Sequence, residues 1–142
     1  MGFDHRLADA QKLGAADGAV IQQAHNFVNT ALAQQVANLG ENIALENLND
    51  PSNLGAISRT AEALGVSGII LSSDSCDPYS PKSLRASMGT LLRIPVIILD
   101  DFVNILKAST LKTYACVVDS DAKSINDVSF TGGCVLIIGN EA

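Results

Sequence analysis

Residues 49–65 read NDPSNLGAISRTAEALG, and this stretch decides how the rest of the chain is interpreted. It opens with turn-forming residues, because Pro51 fixes the backbone and the flanking Asn, Asp and Ser side chains bond to nearby amides. Apolar residues then recur at helical spacing up to Gly65, which is typical of a helix stop. The pattern predicts a helix over 53–64, capped by Ser52 or Asn53. Turn formation and capping leave the role of Arg59, in the second turn, unexplained.

The flanking sequence alternates between short β-branched runs and helical stripes. Strands are predicted at 43–48, 68–72, 95–99, 114–118 and 134–138, and further helices at 27–39, 81–87 and 101–108. Continuous apolar strands separated by helices indicate an α/β fold, with a mostly parallel sheet and helices on both faces. Residues 1–26 are more weakly patterned, and residues 1–42 precede the rest of the alternating pattern. We expect them to form an N-terminal helical extension on a domain that spans residues 43–142.

The composition is that of a globular protein, since 47% of the 142 residues are apolar and 17% are charged. No apolar run approaches the roughly 18 residues that cross a bilayer, and the N-terminus lacks a signal-peptide pattern. We therefore expect a cytoplasmic protein without membrane contact. The three cysteines share no metal-ligand spacing, and HExxH, CxxC and Walker motifs do not occur, so no metal site is expected.

Charge is unevenly distributed along this acidic chain, whose net charge is −6. Residues 78–93 contain Lys82, Arg85 and Arg93 without a single acidic residue, and Arg59 precedes them. A local basic patch on an acidic protein suits a specific anionic ligand rather than indiscriminate binding to nucleic acid. The alternative is a solvated surface with scattered charges.

Three predicted loops follow the carboxyl ends of strands, where open parallel sheets bind their ligands. They span residues 49–53, 72–82 and 139–142. The second is rich in hydroxyl groups, which suit phosphate oxygens or a sugar, although a Ser-rich surface loop is the alternative. The third, GNEA, places an amide and a carboxylate after a buried strand. His5 and His25 both lie in the weakly patterned N-terminal region and are interpreted as ordinary surface or packing residues.

Three segments together carry a family resemblance: NDPSNLGAISRTAEALG, DPYSPKSLRASMGTLLRIPV and VLIIGNEA. In this order and spacing they resemble the SpoU family of RNA ribose methyltransferases, which belongs to the knotted SPOUT superfamily. The resemblance covers residues 43–142. It implies that S-adenosyl-L-methionine is the cofactor and that its methyl group is transferred to a ribose 2′-hydroxyl of tRNA or rRNA. It also implies a homodimer.

The resemblance also implies roles for individual residues. Asn53 and Arg59 match the first family motif, and with Glu141 they are the expected catalytic residues. Gly139, Asn140 and Glu141 match the start of the second motif, and with Ile138 they are the expected cofactor-binding residues. The expected RNA-binding residues are Arg59, Lys82, Arg85 and Ser87.

The sequence departs from the family pattern at Ala142, where it stops before the third motif. Since that motif threads the family's trefoil knot, the knot is expected to be incomplete. The alternative function is therefore a non-catalytic RNA-binding or dimerisation module that retains the SpoU-like fold. A nucleotide-binding oxidoreductase is disfavoured, because no GxGxxG follows any predicted strand.

Overall fold

The computed structural model describes residues 15–140, so His5 and Glu141 lie outside the described residues. In chain order the elements are α1 (Ala15–Asn38), β1 (Glu41–Leu45), α2 (Pro51–Ala63), β2 (Gly68–Ser72), α3 (Pro81–Ala86), a 3₁₀ turn (Thr90–Leu92), β3 (Val96–Leu99), α4 (Phe102–Ala108), β4 (Lys112–Cys116), a second 3₁₀ turn (Ile125–Asp127) and β5 (Cys134–Ile138).

The five strands form one parallel sheet in the order β3-β2-β1-β5-β4. The central strand, β1, pairs with β2 on one side and with β5 on the other, and its last residue, Leu45, pairs with Ile138. The chain therefore moves outward from β1 to β3 and then returns to the opposite side of β1. This reversal makes the carboxyl ends of β1 and β5 the topological switch point, where open α/β sheets bind ligands.

Helices cover both faces of the sheet, which confirms the predicted α/β architecture. On one face α1 and α4 pack over a cluster that includes Val36, Ile70 and Phe102. On the other face α2 and the first 3₁₀ turn pack over Leu45, Leu54 and Leu91. Strand β2 is buried along its whole length, which explains why its sequence, GIILS, is apolar rather than alternating.

Three strands have bounds that differ from those predicted, although β3 differs only in starting at Val96 rather than at residue 95. Strand β1 ends at Leu45 rather than at residue 48, because Asn47 adopts a left-handed backbone with a φ of 51° that ends the extended conformation. Strand β4 ends at Cys116, whose partner Ile138 is the last residue of β5. Val118 therefore lies beyond the ladder and is fully exposed.

The N-terminal helix is longer than predicted and is part of the core. It begins at Ala15, and its C-terminal half contributes Ala33 and Val36 to the first core cluster. Gly40, which follows the helix, has a φ of 81°, a left-handed conformation that glycine adopts readily. The expected division between residues 42 and 43 falls inside β1.

Candidate functional site

The turn that leads from β1 into α2 is fastened to the loop after β2. The backbone N–H of Asn47 donates to Ser72 Oγ at 2.7 Å, and that of Leu48 donates to Ser75 Oγ at 3.0 Å. The N–H of Cys76 in turn donates to the carbonyl of Leu48 at 2.8 Å. The hydroxyl groups of the second loop thus bond to backbone, and they place the start of α2 at the carboxyl edge of the sheet.

Helix α2 begins two residues before its predicted start, and its cap is Asp50. The backbone N–H of Ser52 donates to Asp50 Oδ1 at 2.8 Å, and Pro51 occupies the first helical turn, where its missing N–H costs nothing. The prediction that Ser52 or Asn53 caps the helix is therefore wrong. Asn53 is instead an exposed residue of the first turn and makes no side-chain hydrogen bond within the described part of the chain.

One face of α2 packs against the segment that joins α3 to β3. A Cβ atom added to Gly55 would lie 2.4 Å from the carbonyl carbon of Ala86, so glycine is required for this approach. One turn later, Arg59 is exposed and its Nη1 lies 3.9 Å from the Sδ of Met88. Both Met88, with a φ of 52°, and Gly89, with a φ of 82°, are left-handed, so the chain reverses sharply opposite Arg59.

Glu62 lies about one helical turn after Arg59 on the same face of α2. It binds Thr90 and Arg93, which lie near the end of the segment that joins α3 to β3. Arg93 donates from Nε to Glu62 Oε1 at 2.7 Å and from Nη2 to Oε2 at 2.8 Å. The buried Thr90 hydroxyl donates to Oε2 at 2.9 Å. The hydrogen bonds from Arg93 and then Thr90 lower the pKa of Glu62 to about 2 from its ordinary value of 4.5. We call Glu62, Thr90 and Arg93 the Glu62 clamp.

The clamp corrects the predicted basic patch. Arg93 is not an unpaired cation, because Glu62 neutralises it. Lys82 and Arg85 remain exposed on α3, which Ser80 caps by accepting from the N–H of Ser83 at 3.2 Å. The cations of this surface that have no acidic partner in the described chain are therefore Arg59, Lys82 and Arg85.

Ser87 does not present its hydroxyl to solvent, contrary to its expected role in RNA contact. The residue is fully buried, and its Oγ donates to the carbonyl of Leu84 at 3.0 Å. The hydroxyl group therefore satisfies the end of α3. The sequence alone does not reveal this, because a serine next to exposed cations can face either the core or the solvent.

The start of the GNEA segment lies at the switch point, next to the turn after β1. The carbonyl of Ile138 accepts from the N–H of Glu46 at 3.0 Å, and Ile138 packs against the second core cluster. Gly139 and Asn140 follow as exposed residues, and a Cβ added to Gly139 would meet no atom within 4 Å. Among the described residues, no group of three or more His, Cys, Asp or Glu residues is placed to hold a metal ion.

The fold thus brings the turn after β1 and the start of the GNEA segment to one edge of the sheet. It places the segment after α3 alongside α2. Sequence reasoning missed Glu62 and Thr90, although Glu62 lies three residues after Arg59 and therefore on the same face of the helix. Their partner Arg93 is 31 positions from Glu62, so only tertiary packing reveals the cluster. No helix in the described range has the length and apolar character that crossing a membrane requires.

Comparison with known proteins identifies this arrangement. Residues 41–142 match the model of the SpoU rRNA Methylase family. An uncharacterized tRNA/rRNA methyltransferase of Synechocystis is 39% identical over 102 residues, which are 70% of this chain and 37% of that protein. The 23S rRNA (guanosine(2553)-2′-O)-methyltransferase RlmP of Bacillus subtilis is 30% identical over 110 residues, which are 76% of this chain and 44% of that enzyme.

Solved structures agree with the sequence relatives. The crystal structure of an AdoMet-bound rRNA methyltransferase from Sinorhizobium meliloti superposes with a TM-score of 0.64 at 31% identity, over 72% of this chain and 41% of that one. The chain thus spans less than half the length of each of these three proteins. The family match, over residues 41–142, includes all five strands, the turn after β1 and the GNEA segment, and it confirms the resemblance seen in the sequence. The chain belongs to the SpoU rRNA methylase family.

Proposed function

We propose that this protein is an S-adenosyl-L-methionine-dependent RNA 2′-O-methyltransferase that acts on tRNA or rRNA. The observation that carries the proposal is the position of Arg59. It is an exposed cation on α2, the helix that follows β1, and the end of β1 pairs with Ile138 at the start of the GNEA segment. Support also comes from the relatives, since the Bacillus subtilis protein is named as a 2′-O-methyltransferase and the Sinorhizobium meliloti structure contains AdoMet.

RNA is proposed to lie across α2 and α3. Arg59, Lys82 and Arg85 are exposed and unpaired by acids within the described chain, which suits contact with the phosphates of one short RNA segment. Asn53 is exposed in the first turn of α2, six residues before Arg59, and its free amide can donate to a ribose or phosphate oxygen. Ser87 is left out of this surface because it is buried.

Arg59 is proposed to act as a cation in the reaction. A ribose hydroxyl is a weak nucleophile at neutral pH, and negative charge develops on its oxygen as its proton leaves. A guanidinium group is protonated at all ordinary pH values, so Arg59 stabilises this oxygen or the adjacent phosphate rather than taking the proton. Glu141, which follows Asn140 in the sequence, is the carboxylate that we propose to support the reaction, and the proton of the ribose hydroxyl passes to solvent water as the methyl group is transferred.

The residues at the carboxyl end of β5 fit one wall of a cofactor site. The space beside Gly139 is open, and Gly139 and Asn140 are exposed, so their backbone amides are accessible to a ligand. We propose that Ile138, Gly139, Asn140 and Glu141 hold S-adenosyl-L-methionine. When bound, this cofactor supplies a methyl group on a positively charged sulfur, which a ribose oxygen can attack.

The protein is further proposed to form a homodimer through α2. Arg59 lies in a shallow groove of about 370 Å³ lined also by Ala56, Thr60, Ala63 and Leu64. Leu64 is 78% exposed, and Leu92 nearby on the first 3₁₀ turn is 69% exposed. Burying these side chains against a second copy would remove apolar surface from water and complete the RNA site from two subunits. Replacing Leu64 and Leu92 by Glu is expected to yield monomers in sedimentation experiments.

The experiment that tests the proposed reaction is transfer of a labelled methyl group from S-adenosyl-L-methionine to RNA by the protein in its full natural length. Methylation of the 2′-oxygen blocks alkaline cleavage of the adjacent phosphodiester, so the product nucleotide appears as an alkali-resistant dinucleotide. RNA binding without transfer would favour the alternative, a non-catalytic module. We place the reaction in the cytoplasm, which suits the RNA substrate and three cysteines that are free thiols.

A further inference from the structure

The Glu62 clamp joins two elements that are distant in sequence. Glu62 receives three hydrogen bonds, two from the guanidinium group of Arg93 and one from the Thr90 hydroxyl. Arg93 Nη2 also donates to Thr90 Oγ1 at 3.2 Å, which closes the cluster. A carboxylate held by a two-point guanidinium contact and a buried hydroxyl has a defined orientation, which a single surface ion pair does not.

The clamp is one of two attachments that hold the same segment against α2. At the other attachment, Ala86 lies against Gly55 with no room for a side chain between them. Between the two, the left-handed residues Met88 and Gly89 form the sharp turn that faces Arg59. Gly55, Arg59 and Glu62 are spaced by four and three residues, so they form one stripe along the helix.

We propose that the Glu62 clamp is a positioning device for RNA binding, with Glu62 and Arg93 fixing the Met88–Gly89 turn and thereby the side chain of Arg59 relative to Lys82 and Arg85. The proposal rests on the function inferred above. In this proposal Arg93 binds Glu62 within the protein and does not contact RNA, although the sequence groups Arg93 with the basic patch.

Geometry and exposure favour positioning over a role in folding. The side chains of Arg93 and Glu62 are 56% and 38% exposed, so solvent screens their attraction and reduces its contribution to folding stability even though the contact is bidentate. Their bidentate contact nevertheless restricts the backbone at residue 93, five residues after Met88. Misplacing a substrate-positioning group by about 1 Å can reduce the rate about a hundredfold.

Kinetics of the protein in its full natural length test the proposal through Glu62→Gln, which keeps the shape and removes the charge. We expect kcat/KM for RNA to fall about tenfold while the Kd for S-adenosyl-L-methionine stays unchanged, because only the RNA-binding groups are displaced. The reversed pair, Glu62→Arg with Arg93→Glu, is expected to recover most of this loss. Stronger RNA binding by Glu62→Gln would show that Arg93, once released, binds RNA itself, and would overturn the proposal. So would unchanged kinetics, or a loss that the reversed pair does not recover.

A second measurement does not depend on methyl transfer. The chain has two methionines, Met1 and Met88, so the methyl carbon of Met88 can be labelled and identified by its loss in Met88→Leu. We expect Glu62→Gln and Arg59→Ala each to shift this signal, since both alter the surroundings of Met88. An unchanged Met88 signal in Glu62→Gln would refute the clamp even if the wild-type protein methylates RNA. A shifted signal without any methyl transfer by the wild type would instead refute the proposed function alone.

Discussion

Gly55 and Ala86 make a backbone contact that sets the distance between α2 and α3. A Cβ atom on residue 55 would lie 2.4 Å from the Ala86 carbonyl carbon and 2.7 Å from its oxygen, and rigid backbone cannot yield as a flexible side chain would. The two helices carry the exposed cations Arg59, Lys82 and Arg85. The absence of a side chain at residue 55 therefore controls the spacing of the proposed RNA surface.

Gly55→Ala is expected to destabilise the fold by about 1–3 kcal/mol, because the new methyl group must push α3 away from α2. Urea unfolding followed by circular dichroism measures this change. Gly139→Ala is the matched control for stability, since a Cβ there meets no atom within 4 Å. Equal free energies of unfolding for the two variants would mean that α2 and α3 can move apart without loss of stability.

Arg59→Ala is expected to reduce methyl transfer by about a hundredfold or more, since it removes the cation that we propose to stabilise the developing negative charge. The measurement is the initial rate with labelled S-adenosyl-L-methionine and saturating RNA. Lys107→Ala, an exposed cation on α4 at the opposite face of the sheet, is the control and should retain full activity. Full activity in Arg59→Ala would remove Arg59 from the mechanism.

Lys82→Ala combined with Arg85→Ala should weaken RNA binding and reduce the slope of log K against log salt by up to about 2, one for each lost phosphate contact. Titrations at several salt concentrations give this slope. The double variant Lys107→Ala with Lys112→Ala changes the net charge equally but alters exposed residues of α4 and β4. If both pairs weaken binding alike, the effect is one of net charge and not of a defined surface.

The Glu62 clamp is expected to contribute a small, pH-dependent stability. The pKa of Glu62 is about 2 in the folded protein and 4.5 ordinarily, so the unfolded chain binds a proton more readily. The contribution is therefore complete above pH 4.5 and is lost as the pH falls towards 2. The stability difference between wild type and Glu62→Gln should shrink over this interval in urea unfolding. A difference that stays constant from pH 6 to pH 2 would show that the charge of Glu62 is not involved.

The sequence predicts the elements better than it predicts the contacts between them. Strands 68–72 and 134–138 were predicted at their observed bounds, because buried apolar runs flanked by polar residues have clear ends. The end of β1 was misplaced because the left-handed conformation of Asn47 depends on its bond to Ser72, 25 residues away. Local pattern cannot contain that information.

The same distinction applies to the site. Arg59, Lys82 and Arg85 are exposed as expected, since their charge alone disfavours burial. Arg93 and Ser87 are also polar, yet Arg93 is paired with Glu62 and Ser87 is buried. The packing of α2 against residues 86–93 distinguishes Arg93 and Ser87 from the exposed cations. In the sequence, Gly55 is the residue that points to this close packing.

The position of β1 at the centre of the sheet has a consequence for how the protein is made. Its partner β2 begins 23 residues after Leu45 and can pair with it through a local β-α-β crossover, whereas its other partner, β5, begins at Cys134. On the ribosome, β1 through β3 emerge before β4 and β5, and one side of β1 stays unpaired until β5, which begins at Cys134, has been synthesised. Pairing over such a sequence separation is slow, and an open strand edge can capture another chain meanwhile. Early collapse of the β1–β3 half, followed by docking of β4 and β5, is therefore the folding order that this topology favours, and α2 and α3 are in place before β5 completes the switch point.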